Sequence, residues 1–124
     1  MNRSILNAAC TFVALFLFAE AASAQCAQSP KVLRAPKDQQ VKLTQACTDA
    51  NGKMHGVCDT VSTCTQAETK DALKGKITKA QQCIDTRRAI TRDWFDGSSD
   101  VGHDSAIDGK VNQANNCIAL YSKK

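Results

Sequence analysis

Aromatic side chains are scarce: one Trp, one Tyr and four Phe in 124 residues. Phe12, Phe16 and Phe18 fall within the first two dozen positions, which leaves Trp94, Phe95 and Tyr121 for the rest of the chain. A core so poor in large apolar groups needs covalent support at this size. Only two prolines and two histidines are present. No nucleophile elbow, phosphate loop, zinc-protease helix or calcium loop occurs, which excludes the enzyme classes that depend on them. No stretch alternates like a strand for more than a few residues, and there is no internal repeat. The length leaves room for one domain and excludes a two-domain nucleotide-binding enzyme, a full α/β barrel or a repeat array. The net charge of +4 permits an anionic partner without demanding one.

What the chain does have begins with an address. Arg3 is followed by the apolar run Cys10–Ala19, then by the small residues of Ala22-Ser23-Ala24. These are the three regions of a secretory signal peptide, with cleavage expected before Gln25. The run is too short to cross a bilayer, which takes roughly 20 residues. Nothing of that length follows, so no stable membrane insertion is expected after cleavage. The expected division is a signal peptide over 1–24, an extended leader over 25–37 and a cysteine-rich helical domain over 38–124. The expected location is secreted or periplasmic.

Cleavage removes Cys10 and leaves Cys26, Cys47, Cys58, Cys64, Cys83 and Cys117. An even count in an exported chain predicts a disulfide framework. Sequence alone does not choose the pairing. Cys83 and Cys117 flank Ile84 and Ile118 on two long helices, and a bridge between them is the favoured pair. A metal site on His55, Cys58 and Cys64 is the rival, but its spacing fits no zinc pattern. No metal and no cofactor are expected.

Pro30 and Pro36 oppose helix in the leader. Asp38 is expected to cap a short helix ending near Ala50 at Asn51-Gly52, with Val41, Thr44 and Cys47 on its inner face. Lys53–Thr65 reads as a loop. Glu68 to about Phe95 reads as helix, with a kink or a join of two helices open at Gly75. Asp96-Gly97-Ser98-Ser99 is a stop. Ile107, Val111, Ala114, Ile118 and Tyr121 form one apolar stripe on a last helix from about Gly102 to Ser122. The fold expected is small, all-α and disulfide-stapled, with three to four helices.

The candidate chemistry lies at the junction of the two long helices. Arg87, Arg88 and Arg92 precede the Asp-Gly turn, and Asp100 and His103 follow it. Histidine suits proton transfer near neutral pH, and arginine holds phosphate by a fork. His103 has a second reading, as a cap that holds the turn. The arginines likewise have one as surface partners of Asp85, Asp93 or Asp96. Trp94 and Phe95 read as a core anchor.

Cys47, then Cys58 and Cys64, Cys83-Ile84 with Arg87, Ile90, Phe95-Asp96-Gly97, Gly102-His103 with Ala106, and Asn116-Cys117 follow one another in order over Leu43–Tyr121. In that order and spacing the chain resembles the novel toxin 16 domain, a module of bacterial polymorphic toxins. Trp94 stands where that pattern carries cysteine, and a cysteine near the C-terminus is absent. The resemblance implies a compact helical toxin acting on RNA. It places candidate site residues at Arg87, Asp100 and His103, and suggests RNA or an immunity protein as partner. The function expected is a secreted toxin-like effector acting as a metal-independent ribonuclease. The alternative is a non-catalytic disulfide-rich binding module, an effector, inhibitor or immunity-like protein.

Overall fold

A computed structural model describes residues 22–98 and 101–124, of which 101–103 are described in backbone only. The proposed signal segment therefore lies almost wholly outside the described residues, and so does Asp100. Among the described residues the fold is all-α, as the patterning predicts, with no strand. Residues 22–27 are helical, followed by α1 (Pro30–Leu33), α2 (Lys37–Cys58), α3 (Lys70–Trp94) and α4 (Val101–Ser122). Helix α3 is the centre: α1, α2 and α4 all pack on it. None of the described helices is long and apolar enough to cross a membrane.

The apolar faces assemble three small clusters. Met54 and Cys58 of α2 meet Cys83 and Ile90 of α3, with Trp94 and Phe95 against them. Leu73 meets Cys64 and Cys117, with Ile77, Leu120 and Tyr121 around them. Ala80 and Ile84 of α3 meet Ala114 of α4, flanked by Ile107 and Val111. Three bridges staple the chain: Cys58–Cys83 within the first cluster, Cys64–Cys117 within the second, and Cys26–Cys47 outside all three. Each adds about 2–4 kcal/mol, which offsets the shortage of aromatic core.

Several expectations need correction. Cys83 does not pair with Cys117. It precedes Ile84 by one residue, and at about 100° per residue it turns toward α2 while Ile84 turns toward α4. The leader is not extended: Pro30 occupies the first turn of α1, where a missing N–H costs nothing. The segment is also part of the domain, tied in by Cys26–Cys47. Pro36, not Asp38, caps α2, with no side-chain bond.

Asn51-Gly52 does not end α2. The buried Asn51 amide donates to the Cys47 carbonyl at 3.2 Å and to Cys26 Sγ at 3.2 Å, so it finds partners inside the helix. The inner face of α2 starts at Cys47 and continues through Asn51, Met54 and Cys58, which leaves Val41 81% exposed. Helix α3 passes through Gly75 unbroken, because Leu73 and Ile77 on either side are packed. On α4 the stripe holds at Ile107, Val111, Ala114 and Tyr121, but Ile118 is 46% exposed and Cys117 and Leu120 take the inner positions.

Candidate functional site

The C-terminal end of α3 is where the sequence concentrates its polar motifs. Asp96 and Gly97 stop the helix with positive φ angles of 56° and 72°. That conformation is easy for Gly and tolerated by Asp. The Gly97 amide then turns back to donate to the Thr91 carbonyl at 2.9 Å, and the Ser98 amide donates to the Phe95 carbonyl at 2.9 Å. The chain is thereby reversed toward α4.

Residues far upstream hold this turn. Ser29, fully buried, donates its hydroxyl to the Trp94 carbonyl at 2.5 Å. Lys31 Nζ lies 4.5 Å from the Trp94 ring centroid, a cation–π contact. Arg34 grips the Asp96 carboxylate as a fork, at 2.5 and 2.7 Å. The hydrogen bond from Arg34 holds the Asp96 carboxyl below the usual carboxylate range, and Asp96 raises the Arg34 guanidinium in turn.

The three arginines of α3 have different fates. Arg92 pairs with its neighbour Asp93 at 2.8 Å and lowers that carboxyl, with Lys31 adding to the effect. Arg88 is exposed. Arg87 is half-buried, and its Nε atom is buried without a hydrogen-bond partner. Among the described residues only Gln113 Oε1 shares that condition. Arg87 lies one turn beyond both Cys83, which faces α2, and Ile84, which faces α4. Roughly 40° separates it from the first and 60° from the second around the axis. It therefore sits at the seam between two helices that both pack on α3 and scarcely touch each other.

Helices α3 and α4 run antiparallel: Leu73 meets Cys117, and Ala80 and Ile84 meet Ala114. Arg87 is thus on the half of α3 that faces the N-terminal half of α4. The backbone of His103 belongs to the first turn of α4. The side chain of His103 and the whole of Asp100 lie outside the described residues. His55 is exposed on α2. The sulfurs of Cys58 and Cys64 are engaged in two different bridges. Among the described residues no three His, Cys, Asp or Glu side chains cluster as metal ligands.

Sequence reasoning missed Ser29, Lys31, Arg34 and Asn51. Pro30 at a helix start was the available local signal; the Arg34–Asp96 pair spans 62 residues and leaves no local trace.

These features define a small, disulfide-stapled helical module with a polar junction at one end. The chain belongs to the novel toxin 16 family, whose model matches residues 33–120. Neither a curated protein nor a solved structure matches it. Family membership marks the chain as a toxin-like effector.

Proposed function

We propose that the chain is exported through its N-terminal segment and acts as a metal-independent ribonuclease toxin. The observation that carries this reading is Arg87. A buried guanidinium N–H without a partner is costly, by about 1–3 kcal/mol or more. Such a group is retained where an anion completes it, and the phosphodiester of RNA is an anion of suitable shape.

In the proposed reaction a base takes the proton of the ribose 2′-hydroxyl, and that oxygen attacks phosphorus. The 5′-oxygen leaves with a proton from an acid, giving a cyclic phosphate. Arg87 holds the phosphate and stabilises the charge that builds up on its oxygens. His103 is the base or the acid, and Asp100 orients it. With one histidine at the junction, the remaining proton-transfer role falls to a carboxylate.

The test pairs RNA cleavage in the presence of a chelator with a thermal melt on the same protein. His103→Ala is expected to lower cleavage by about 10²–10⁴-fold and to change the melt little. Wild-type protein that neither cleaves RNA nor arrests growth when expressed with or without residues 1–24 would overturn the reading.

A non-catalytic effector is the second reading. It is favoured by the exposed apolar side chain of Val41 (81%), which lines an open groove with Val32, Gln40, Thr44 and Gln45. Growth arrest that survives both His103→Ala and Arg87→Ala would select it.

A further inference from the structure

The segment between Cys26 and Arg34 behaves as a single mechanical element. Its first residue is bonded to Cys47 of α2, and both sulfurs are fully buried. Its middle is pinned by the buried Ser29 hydroxyl on the Trp94 carbonyl. That carbonyl belongs to the last turn of α3, whose terminal acceptors have no partner within the helix. Its end is the Arg34–Asp96 fork, which grips the residue that holds the unusual positive φ of the turn. Val32, only 2% exposed, and the Lys31–Trp94 contact fill the space between. All three polar ties land within Trp94–Asp96, and that stretch leads into the first turn of α4.

The family match begins at Leu33, so Cys26, Ser29 and Lys31 lie outside it while Arg34, Cys47 and Asp96 lie within. The matched module therefore contains the turn and the whole Arg34–Asp96 fork, and the unmatched segment supplies Cys26, Ser29 and Lys31 to the other three contacts. Without Cys26–Cys47, the nine residues Cys26–Arg34 would have to hold the turn through three polar contacts and one buried Val.

We propose that Cys26–Arg34 is a disulfide-anchored strap that locks the α3–α4 turn, so that oxidation of Cys26 and Cys47 arms the end of the molecule bearing Arg87 and His103. In the step itself the two thiols lose two protons and two electrons and form one S–S bond. The oxidant is a disulfide of the exporting compartment, which leaves as two thiols. While Cys26 and Cys47 are still thiols, even with the other two bridges formed, the strap is unanchored and the turn samples open conformations. After export the bond forms, the Ser29 and Arg34 contacts become persistent, and the turn is fixed. The arming of RNA cleavage rests on the proposed function; the locking of the turn does not.

The experiment is amide hydrogen exchange on the purified oxidised chain, read at Gly97 and Ser98 in the turn and at Leu73 at the far end of α3. The wild type is compared with a Cys26→Ser/Cys47→Ser variant, which keeps the other two bridges. Exchange at Gly97 and Ser98 is expected to quicken by about tenfold or more, with Leu73 unchanged, as for local opening. RNA cleavage should fall in the same variant. Equal protection of the turn in variant and wild type would overturn the strap.

If the double variant proves unfolded by circular dichroism, Ser29→Ala/Arg34→Gln with all bridges intact decides the matter. A faster turn supports the lock, and an unchanged turn overturns it. A loosened turn with full cleavage would overturn the arming role. A wild type that cleaves no RNA would overturn the proposed function, while the exchange data still decide on the strap.

Discussion

The two ends of α3 are closed by the same three devices and yet differ in kind. At its start, Cys64–Cys117 ties the incoming loop to α4, Lys70 lies over the Tyr121 ring at 4.8 Å, and Lys124 donates to the Gln66 carbonyl at 2.6 Å. At its finish, Cys26–Cys47, Lys31 over Trp94 and the Ser29 and Arg34 contacts do the same work. The start is closed by neighbours in the chain and by α4. Thr69 caps α3 by accepting from the Ala72 amide at 3.2 Å, and Glu68 reaches back to the Thr65 amide at 2.6 Å and pairs with Lys76. The finish is closed from outside, by a strap more than sixty residues upstream. A closed start makes the helix pair stable. A borrowed closure at the finish makes the polar junction conditional on the strap.

Complete reduction is the largest perturbation. Three bridges at about 2–4 kcal/mol each are comparable with the whole stability of a small domain. The reduced chain is expected to lose its helical signal cooperatively near room temperature, and a reduced chain that melts like the oxidised one would remove both closures from the account.

Leu73→Ala and Trp94→Ala then separate the ends. Leu73 is fully buried and should cost about 3–5 kcal/mol in denaturant melts. Trp94 is half-buried against Met54, Cys58, Cys83 and Ile90 and should cost about 2–4 kcal/mol. A Trp94 variant as stable as wild type would show that the strap end contributes little to folding.

Smaller effects sharpen the contrast. Lys31→Met and Lys70→Met each remove one cation–π contact, worth about 0.5–1 kcal/mol at exposed sites. Acidification is a finer probe. The Asp96 carboxyl is held below the usual range by the Arg34 fork. The unfolded state therefore binds the proton more readily. The contribution is present above the unfolded carboxylate value and is lost as pH falls through the folded one. The protection factor of Gly97, with the slowing of intrinsic exchange divided out, should fall on acidification, and high salt should weaken the effect because the pair is exposed. Glu68, lowered chiefly by its hydrogen bond from Lys76, imposes the same sign at the start of α3. Turn protection indifferent to acid would show that the fork is ornamental.

Much of the architecture is legible from local chemistry. The stop at Asp96-Gly97 is visible because few residues accept positive φ, and the inward positions of α3 and most of α4 follow from helical periodicity. The length of α2 is not legible, because Asn51 is a turn former until a buried disulfide gives its amide a partner. The pairing of Cys83 is hidden for a related reason. Neighbouring residues on a helix face different partners, and the choice between α2 and α4 depends on a packing angle that the pattern does not carry. At the junction, Arg87 is visible as a basic residue on an apolar-striped helix. The burial of its Nε atom is a property of the three-helix seam alone.

The most direct test of the account is therefore Arg87→Met, which keeps the apolar stem and removes the unpartnered buried N–H. If Arg87 is retained for a phosphate and not for the fold, the variant melts at or above the wild-type temperature while RNA cleavage falls by about 10²–10³-fold. A melting temperature that drops by several degrees, with residual cleavage tracking the folded fraction, would contradict it.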